Sequence, residues 1–108
     1  MKSINMVYIY DLYSPLLNDR QREILDLYYN EDQSLAEISE NVGITRQGVR
    51  DCIVKAEALL SGYEEALGLR KKLLDIEKRL DGVTRKAENG GVITEIIDEI
   101  NEIKDSLF

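Results

Sequence analysis

Apolar side chains recur along this chain at helical spacing, and short polar stretches with capping chemistry cut them into segments. Residues 4–13 carry Ile4, Val7, Tyr8, Leu12 and Tyr13 and predict a short helix. Ser14-Pro15 ends it, because the residue before a proline avoids the helical region. Asn18 suits the N-cap of a second helix, and Gln21 stands where a capping box needs it. Ile24, Leu25, Leu27 and Tyr28 follow at helical spacing, and Asn30-Glu31-Asp32-Gln33 breaks the pattern.

The next stretch is the most informative. Ser34 with Glu37 predicts another capping box, and Leu35, Ile38 and Val42 supply a buried face. Gly43 and Ile44 follow, and Thr45 caps a helix running through Gln47, Val49, Cys52, Ile53 and Ala56 to Leu59. Ser39 is small where the two helices must approach. Gly43 offers the left-handed backbone a tight turn needs, and Val49 faces back into the angle between the helices. This pattern predicts a helix-turn-helix.

In such a motif the second helix enters the DNA major groove by its first turns. The outward positions there are Thr45, Arg46, Gln47, Arg50 and Asp51. Arginine reads guanine and glutamine reads adenine by paired hydrogen bonds, while Arg46 or Lys55 suits a phosphate contact. Each of these side chains also suits a merely solvated helix face.

A longer repeat begins at the end of that helix. Leu59, Gly62, Ala66, Leu69, Leu73, Ile76, Leu80, Val83 and Ala87 alternate in steps of three and four, which predicts one unbroken seam about 40 Å long. Asn89-Gly90-Gly91 stops the helix, and Ile93, Ile96, Ile100, Ile103 and Leu107 form a second, shorter seam of about 25 Å out to Phe108. The expected structure is an antiparallel helical hairpin. A further stripe of Leu60, Tyr63, Leu67 and Leu74 needs burial by the N-terminal helices or by a second copy, and a homodimer is the expectation.

The long arm carries basic residues in a seven-residue rhythm: Arg70, Lys71 and Lys72, then Lys78 and Arg79, then Arg85 and Lys86. From Arg70 to Lys86 seven basic residues face three acidic ones, whereas the short arm sets Glu95, Asp98, Glu99, Glu102 and Asp105 against Lys104. One reading is charge complementarity between the arms. The other is a basic ridge for RNA, DNA or an acidic partner.

Charge and composition narrow the chemistry. The 108-residue chain has no histidine, so the commonest general base and metal ligand are missing. Its single cysteine, Cys52, can form neither an internal disulfide nor a Cys-His pair. Gly90-Gly91 lacks the spacing and lysine of a phosphate loop, and no pair of carboxylates stands out. The expectation is a protein that is not an enzyme and has no cofactor. No apolar run approaches the length of a membrane span, and Met1 to Asn5 lacks a signal-peptide core, so a cytoplasmic protein with no membrane insertion is expected. The net charge is −7, and residues 18–60 hold five basic against nine acidic side chains. Phosphate neutralisation supplies most non-specific affinity for DNA, so this balance weighs against a simple DNA reader.

From Leu17 to Leu60 the sequence resembles region 4 of bacterial sigma factors, and it resembles more closely the YlxM family of small helix-turn-helix proteins. The matching pieces are LNDRQREILDLYY, SLAEISE, TRQGV and KAEALL followed by YEEALGL, with an opening Tyr8-Ile9-Tyr10-Asp11-Leu12-Tyr13-Ser14-Pro15-Leu16-Leu17 of the same type. The resemblance covers about residues 4–80. It implies a link to the signal recognition particle pathway and a helix-turn-helix with Ser34 to Ser39 as first helix, Gly43 as turn and Thr45 to Arg50 as reading face. It implies no catalytic residue.

The expected fold is all-α: a sigma region 4-like helix-turn-helix domain over residues 1–60, then a long helix and antiparallel helical hairpin over residues 61–108. Two functions remain open. One is a regulatory adaptor of the signal recognition particle, binding its protein or its RNA through the basic ridge. The other is a sequence-specific DNA-binding regulator using Arg46, Gln47 and Arg50.

Overall fold

Capping side chains set the helix boundaries in the computed structural model, which describes residues 2–107; Met1 and Phe108 lie outside the described residues. The first helix, α1 (Ile4–Tyr13), starts where the Ser3 hydroxyl accepts from the Met6 N–H. Pro15 turns the chain through a 3₁₀ turn, Ser14–Leu16. Asn18 and Gln21 form a full capping box at the head of α2 (Asp19–Leu25). The chain then widens into a π turn, Asp26–Asn30, which the apolar pattern does not predict. Ser34 and Glu37 form a second capping box before α3 (Leu35–Val42), and Thr45 caps α4 (Arg46–Leu67). Two helices follow, α5 (Leu69–Glu88) and α6 (Ile93–Asp105). Among the described residues every regular element is helical, and no helix is long and apolar enough to cross a membrane.

The apolar repeat from Leu59 to Ala87 predicts one helix, but two are found. Gly68 takes a left-handed backbone (φ +63°) and its N–H closes onto the Glu64 carbonyl, which ends α4. Glycine adopts this conformation without the Cβ penalty other residues incur. The three-four spacing passes over Gly68 because a single-residue break leaves the count of apolar steps unchanged. The chain accordingly divides into two compact units, Met1–Gly68 and Leu69–Phe108, so the boundary falls after residue 68 where the sequence suggested 60.

The first unit has a closed core. Ile24, Leu25, Ile38, Val49, Ala56 and Leu60 are fully buried, drawn from α2, α3 and α4. Helix α1 lies over them with Ile9, Tyr10 and Tyr13, while Ile4 and Tyr8 remain exposed. Tyr10 and Tyr13 keep their polar ends satisfied. Tyr10 donates to the Asp26 carboxylate (2.5 Å), and Tyr13 donates to Glu64 (2.8 Å). Burial first, then the Asp26 carboxylate, pushes the Tyr10 phenol well above its ordinary pKa. Of the stripe left over in sequence, Leu60 is buried in this core and Tyr63 stacks at 6.0 Å from Tyr13, so the N-terminal helix takes that part, whereas Leu67 stays exposed.

The second unit is the expected hairpin. Helix α6 folds back along α5 after Gly90, and Lys86 on α5 meets Glu99 on α6 at 2.5 Å. Ile103 is buried, but Leu73, Leu80, Ile97 and Ile100 are exposed.

Urea unfolding monitored by circular dichroism ranks two changes in the first unit. Ile38→Ala removes a fully buried side chain and is expected to cost about 2–4 kcal/mol. Gly43→Ala strains a left-handed turn (φ +78°) in open space and is expected to cost about 1 kcal/mol. A Gly43→Ala loss as large as that of Ile38→Ala would mean that the turn is packed, not merely bent.

Candidate nucleic-acid interface

The turn between α3 and α4 is fixed by three local devices. Gly43 caps α3 in the left-handed conformation, with its N–H on the Ser39 carbonyl (2.9 Å). Ser39 donates its hydroxyl hydrogen to the Ile44 carbonyl (2.5 Å), so its small size lets it bridge the turn it was expected only to clear. Thr45 then accepts from the Gly48 N–H (3.0 Å). Behind these, Ile38 and Val49 close the angle between the helices with no exposed surface. The result is a helix-turn-helix with α4 as its second helix.

The side chains on the first turns of α4 divide by direction. Thr45, Arg46, Gln47 and Arg50 are exposed. Thr45 uses one lone pair of its hydroxyl oxygen as the helix cap. The Gln47 amide donates to the Asp51 carboxylate (2.9 Å), one turn on. That bond fixes a negative charge at the border of the reading face and engages one of the two amide hydrogens of Gln47. Arg50 borders a cleft with Tyr28, Leu35, Val54 and Glu57. Glu57 gave no signal in sequence, since the tyrosine it acts on, Tyr29, lies on a different element. It also helps burial push the Tyr29 phenol above its ordinary pKa, burial being the larger cause. Lys55 is exposed but lies about 140° round α4 from Arg50, beside Gln21, Ala58 and Leu59. The structure therefore does not gather Lys55 with Arg46 and Arg50. Gly48 was not singled out in sequence; a Cβ there would meet the Thr45 hydroxyl at 3.2 Å, so it serves the cap.

The basic residues of α5 form two rows rather than one ridge. At about 100° per residue, Lys72, Arg79 and Lys86 share one flank, and Lys71, Lys78 and Arg85 share the next. In the first row Arg79 pairs with Asp75 (3.3 Å) and Lys86 with Glu99, and the Glu99 hydrogen bond leads the causes that raise the Lys86 pKa. Glu95, Asp98 and Glu102 border the same spot. Lys71, Lys78 and Arg85 are all exposed, and Arg70 is half-buried at the head of the helix. Among the described residues no group of three or more cysteine or carboxylate side chains could hold a metal ion.

A helix-turn-helix with this sequence has known relatives. The family described as "Putative helix-turn-helix protein, YlxM / p13 like" matches residues 1–103. The chain belongs to this UPF0122 family. A UPF0122 protein of Thermoanaerobacter sp. (strain X514) is 45% identical, over 88% of this chain and 86% of its own. One from Geobacillus kaustophilus is 38% identical, over 94% and 96%. One from Acetivibrio thermocellus is 40% identical, over 89% and 91%. Similarity thus runs through both units of this UPF0122 chain.

Cys52 of this UPF0122 protein is half-buried on α4, and burial raises its thiol pKa against the weaker opposing pull of Arg20 and Lys55. A raised pKa leaves less thiolate at any given pH. Alkylation by iodoacetamide at pH 8 is expected to run several-fold slower in the folded protein than in urea. An equal or faster rate in the folded state would show an activated thiol.

Proposed function

We propose that this UPF0122 protein is a cytoplasmic, non-catalytic regulatory adaptor that holds the RNA of the signal recognition particle along the outer basic row of α5. The observation that carries this reading is the exposed row of Lys71, Lys78 and Arg85, which stands clear of the Lys86–Glu99 contact. Successive members lie about 10 Å apart along the helix, a spacing that lets one face meet several phosphates of a backbone. The identity of the RNA comes from the resemblance to the YlxM family. The helix-turn-helix unit favours nucleic acid less. It carries an acidic surplus, and Asp51 would face the phosphates a DNA reader must neutralise. Its role in this reading is to contact protein.

A second reading has one observation in its favour. Arg46 and Arg50 are exposed on the first turns of α4, where a helix-turn-helix reads base edges. On that reading the protein is a sequence-specific DNA-binding regulator.

Fluorescence anisotropy against signal recognition particle RNA and random duplex DNA, across a salt series, separates the two. Reversing Lys71, Lys78 and Arg85 to Glu should weaken RNA binding and flatten its salt dependence by about 0.7 in log–log slope per lost contact. Arg50→Ala should leave RNA binding unchanged. If DNA is the ligand, Arg50→Ala should instead cost about 1–3 kcal/mol at one base position, with the triple reversal silent on site choice. RNA binding indifferent to the triple reversal would overturn the adaptor reading.

A further inference from the structure

The α5–α6 hairpin is a single layer of two helices, and a layer with one apolar side must bury that side on another. The contact between the arms uses only part of each seam. Around α5, Lys86 and Gly82 turn toward Glu99, and a Cβ at Gly82 would lie 3.5 Å from that carboxylate. This puts Leu73 and Leu80 to one side of the contact, not in it. Around α6, Ile103 is buried while Leu107, Ile100, Ile93 and Ile97 lie progressively to the side. Because the arms are antiparallel, the two sideways directions coincide. Leu73 and Leu80 on α5 and Ile93, Ile97, Ile100 and Leu107 on α6 form one face, and each is 40–72% exposed. Lys86 with Glu95, Asp98 and Glu102 lies on the opposite face.

The charges in and beside the apolar face say what covers it. Beyond Leu73 and Leu80, the edge of α5 carries Glu77 and Asp81, one helical turn apart. Around α6, Lys104, the only basic residue in that helix, projects from the same side as Ile93, Ile97 and Ile100. The Lys86–Glu99 and Gly82–Glu99 contacts fix the register of the hairpin, and in that register Lys104 is level with the stretch from Glu77 to Asp81. Within one hairpin, Lys104 on α6 and the acidic pair on the far flank of α5 lie apart. They come together if a second hairpin is laid face to face with the first about a two-fold axis parallel to the helices. Each α5 then lies on the α6 of the second copy, at unchanged height. An unrelated helix would have no reason to match Lys104 and the acidic pair at once, whereas a second copy does so by symmetry.

We infer that the α5–α6 hairpin is a self-pairing module. Two copies of this chain form a four-helix bundle through the Leu73, Leu80, Ile97 and Ile100 face, with Lys104 of each copy between Glu77 and Asp81 of the other. The outer row of Lys71, Lys78 and Arg85 stays outside this contact, so pairing doubles the basic rows without hiding them.

Light scattering and sedimentation of the full chain at tens of micromolar test the inference. The wild type should have twice the 12.4 kDa chain mass. L80E and I100E change side chains exposed in the single hairpin, so helicity by circular dichroism should persist while the dimer weakens at least tenfold. A wild type at chain mass, or L80E and I100E still dimeric, would overturn it. Charge exchange tests the register. K104E and E77K/D81K should each be monomeric alone, and an equimolar mixture should recover the doubled mass, because only the heterodimer pairs unlike charges on both sides. Failure of the mixture to recover it, or retention of the dimer by each variant alone, would overturn the α5-on-α6 arrangement.

Discussion

Between α3 and α4 the chain must reverse within a few residues while two helices stay in contact behind it. Ile38 and Val49 have no exposed surface, so the helices cannot separate to relax the turn. The backbone groups freed at the turn must therefore be satisfied locally, since an unpaired carbonyl at a packed corner costs about as much as a lost hydrogen bond. Gly43 and Ser39 meet that demand together: one supplies the left-handed step, and the other's hydroxyl hydrogen goes to the Ile44 carbonyl. Everything outward on α4 inherits its direction from this corner. Arg46, Gln47 and Arg50 face solvent because Val49 and Ile53 are held inward.

Helix α1 is attached to this frame by a different kind of contact. Its buried side is aromatic, and each buried phenol ends on a carboxylate: Tyr10 on Asp26 and Tyr13 on Glu64. The ring gains from burial and the hydroxyl keeps its hydrogen bond, so two polar groups enter the core boundary without an unpaired partner. Glu64 also lends its carbonyl to the Gly68 N–H that ends α4. The docking of the first helix and the end of the fourth thus meet at one residue, which places the boundary of the first unit at residue 68.

How much of this was legible in the sequence depended on the range of the interaction. Capping boxes at Asn18 and Ser34, the Thr45 cap and the Gly43 turn involve residues at most a turn apart, and the residue types alone announce them. The break at Gly68 was hidden because heptad counting records apolar positions, not backbone hand. The exposed Ile4 and Tyr8 beside the buried Ile9 and Tyr10 were hidden because polar partners distant in sequence, Asp26 and Glu64, decide which face a tyrosine-rich helix buries. At the candidate interface, exposure of Arg46, Gln47 and Arg50 was legible. The separation of Lys55 was implicit in its five-residue distance from Arg50. The division of the α5 bases into two rows followed from helical period, but the engagement of Lys86 needed the register of the hairpin, which no single helix encodes.

The two units differ in what they leave unfinished. The first closes its own core and keeps a reading face where the Gln47–Asp51 hydrogen bond spends a donor and adds a negative charge. Such a face repels phosphate at its Asp51 border and attracts it along Arg46 and Arg50, so it suits a partner that offers a cation at that border better than a bare duplex. The second unit leaves one face apolar and one row basic, on sides that do not overlap. Exposed aliphatic surface gathered on one side of a two-helix layer marks that side as an interaction surface. Covering the apolar side need not hide the basic side, because helical period sets Lys78 and Arg85 well over a quarter-turn from Leu80. The same geometry that makes the hairpin dependent on a second layer therefore keeps its cations available to a polyanion.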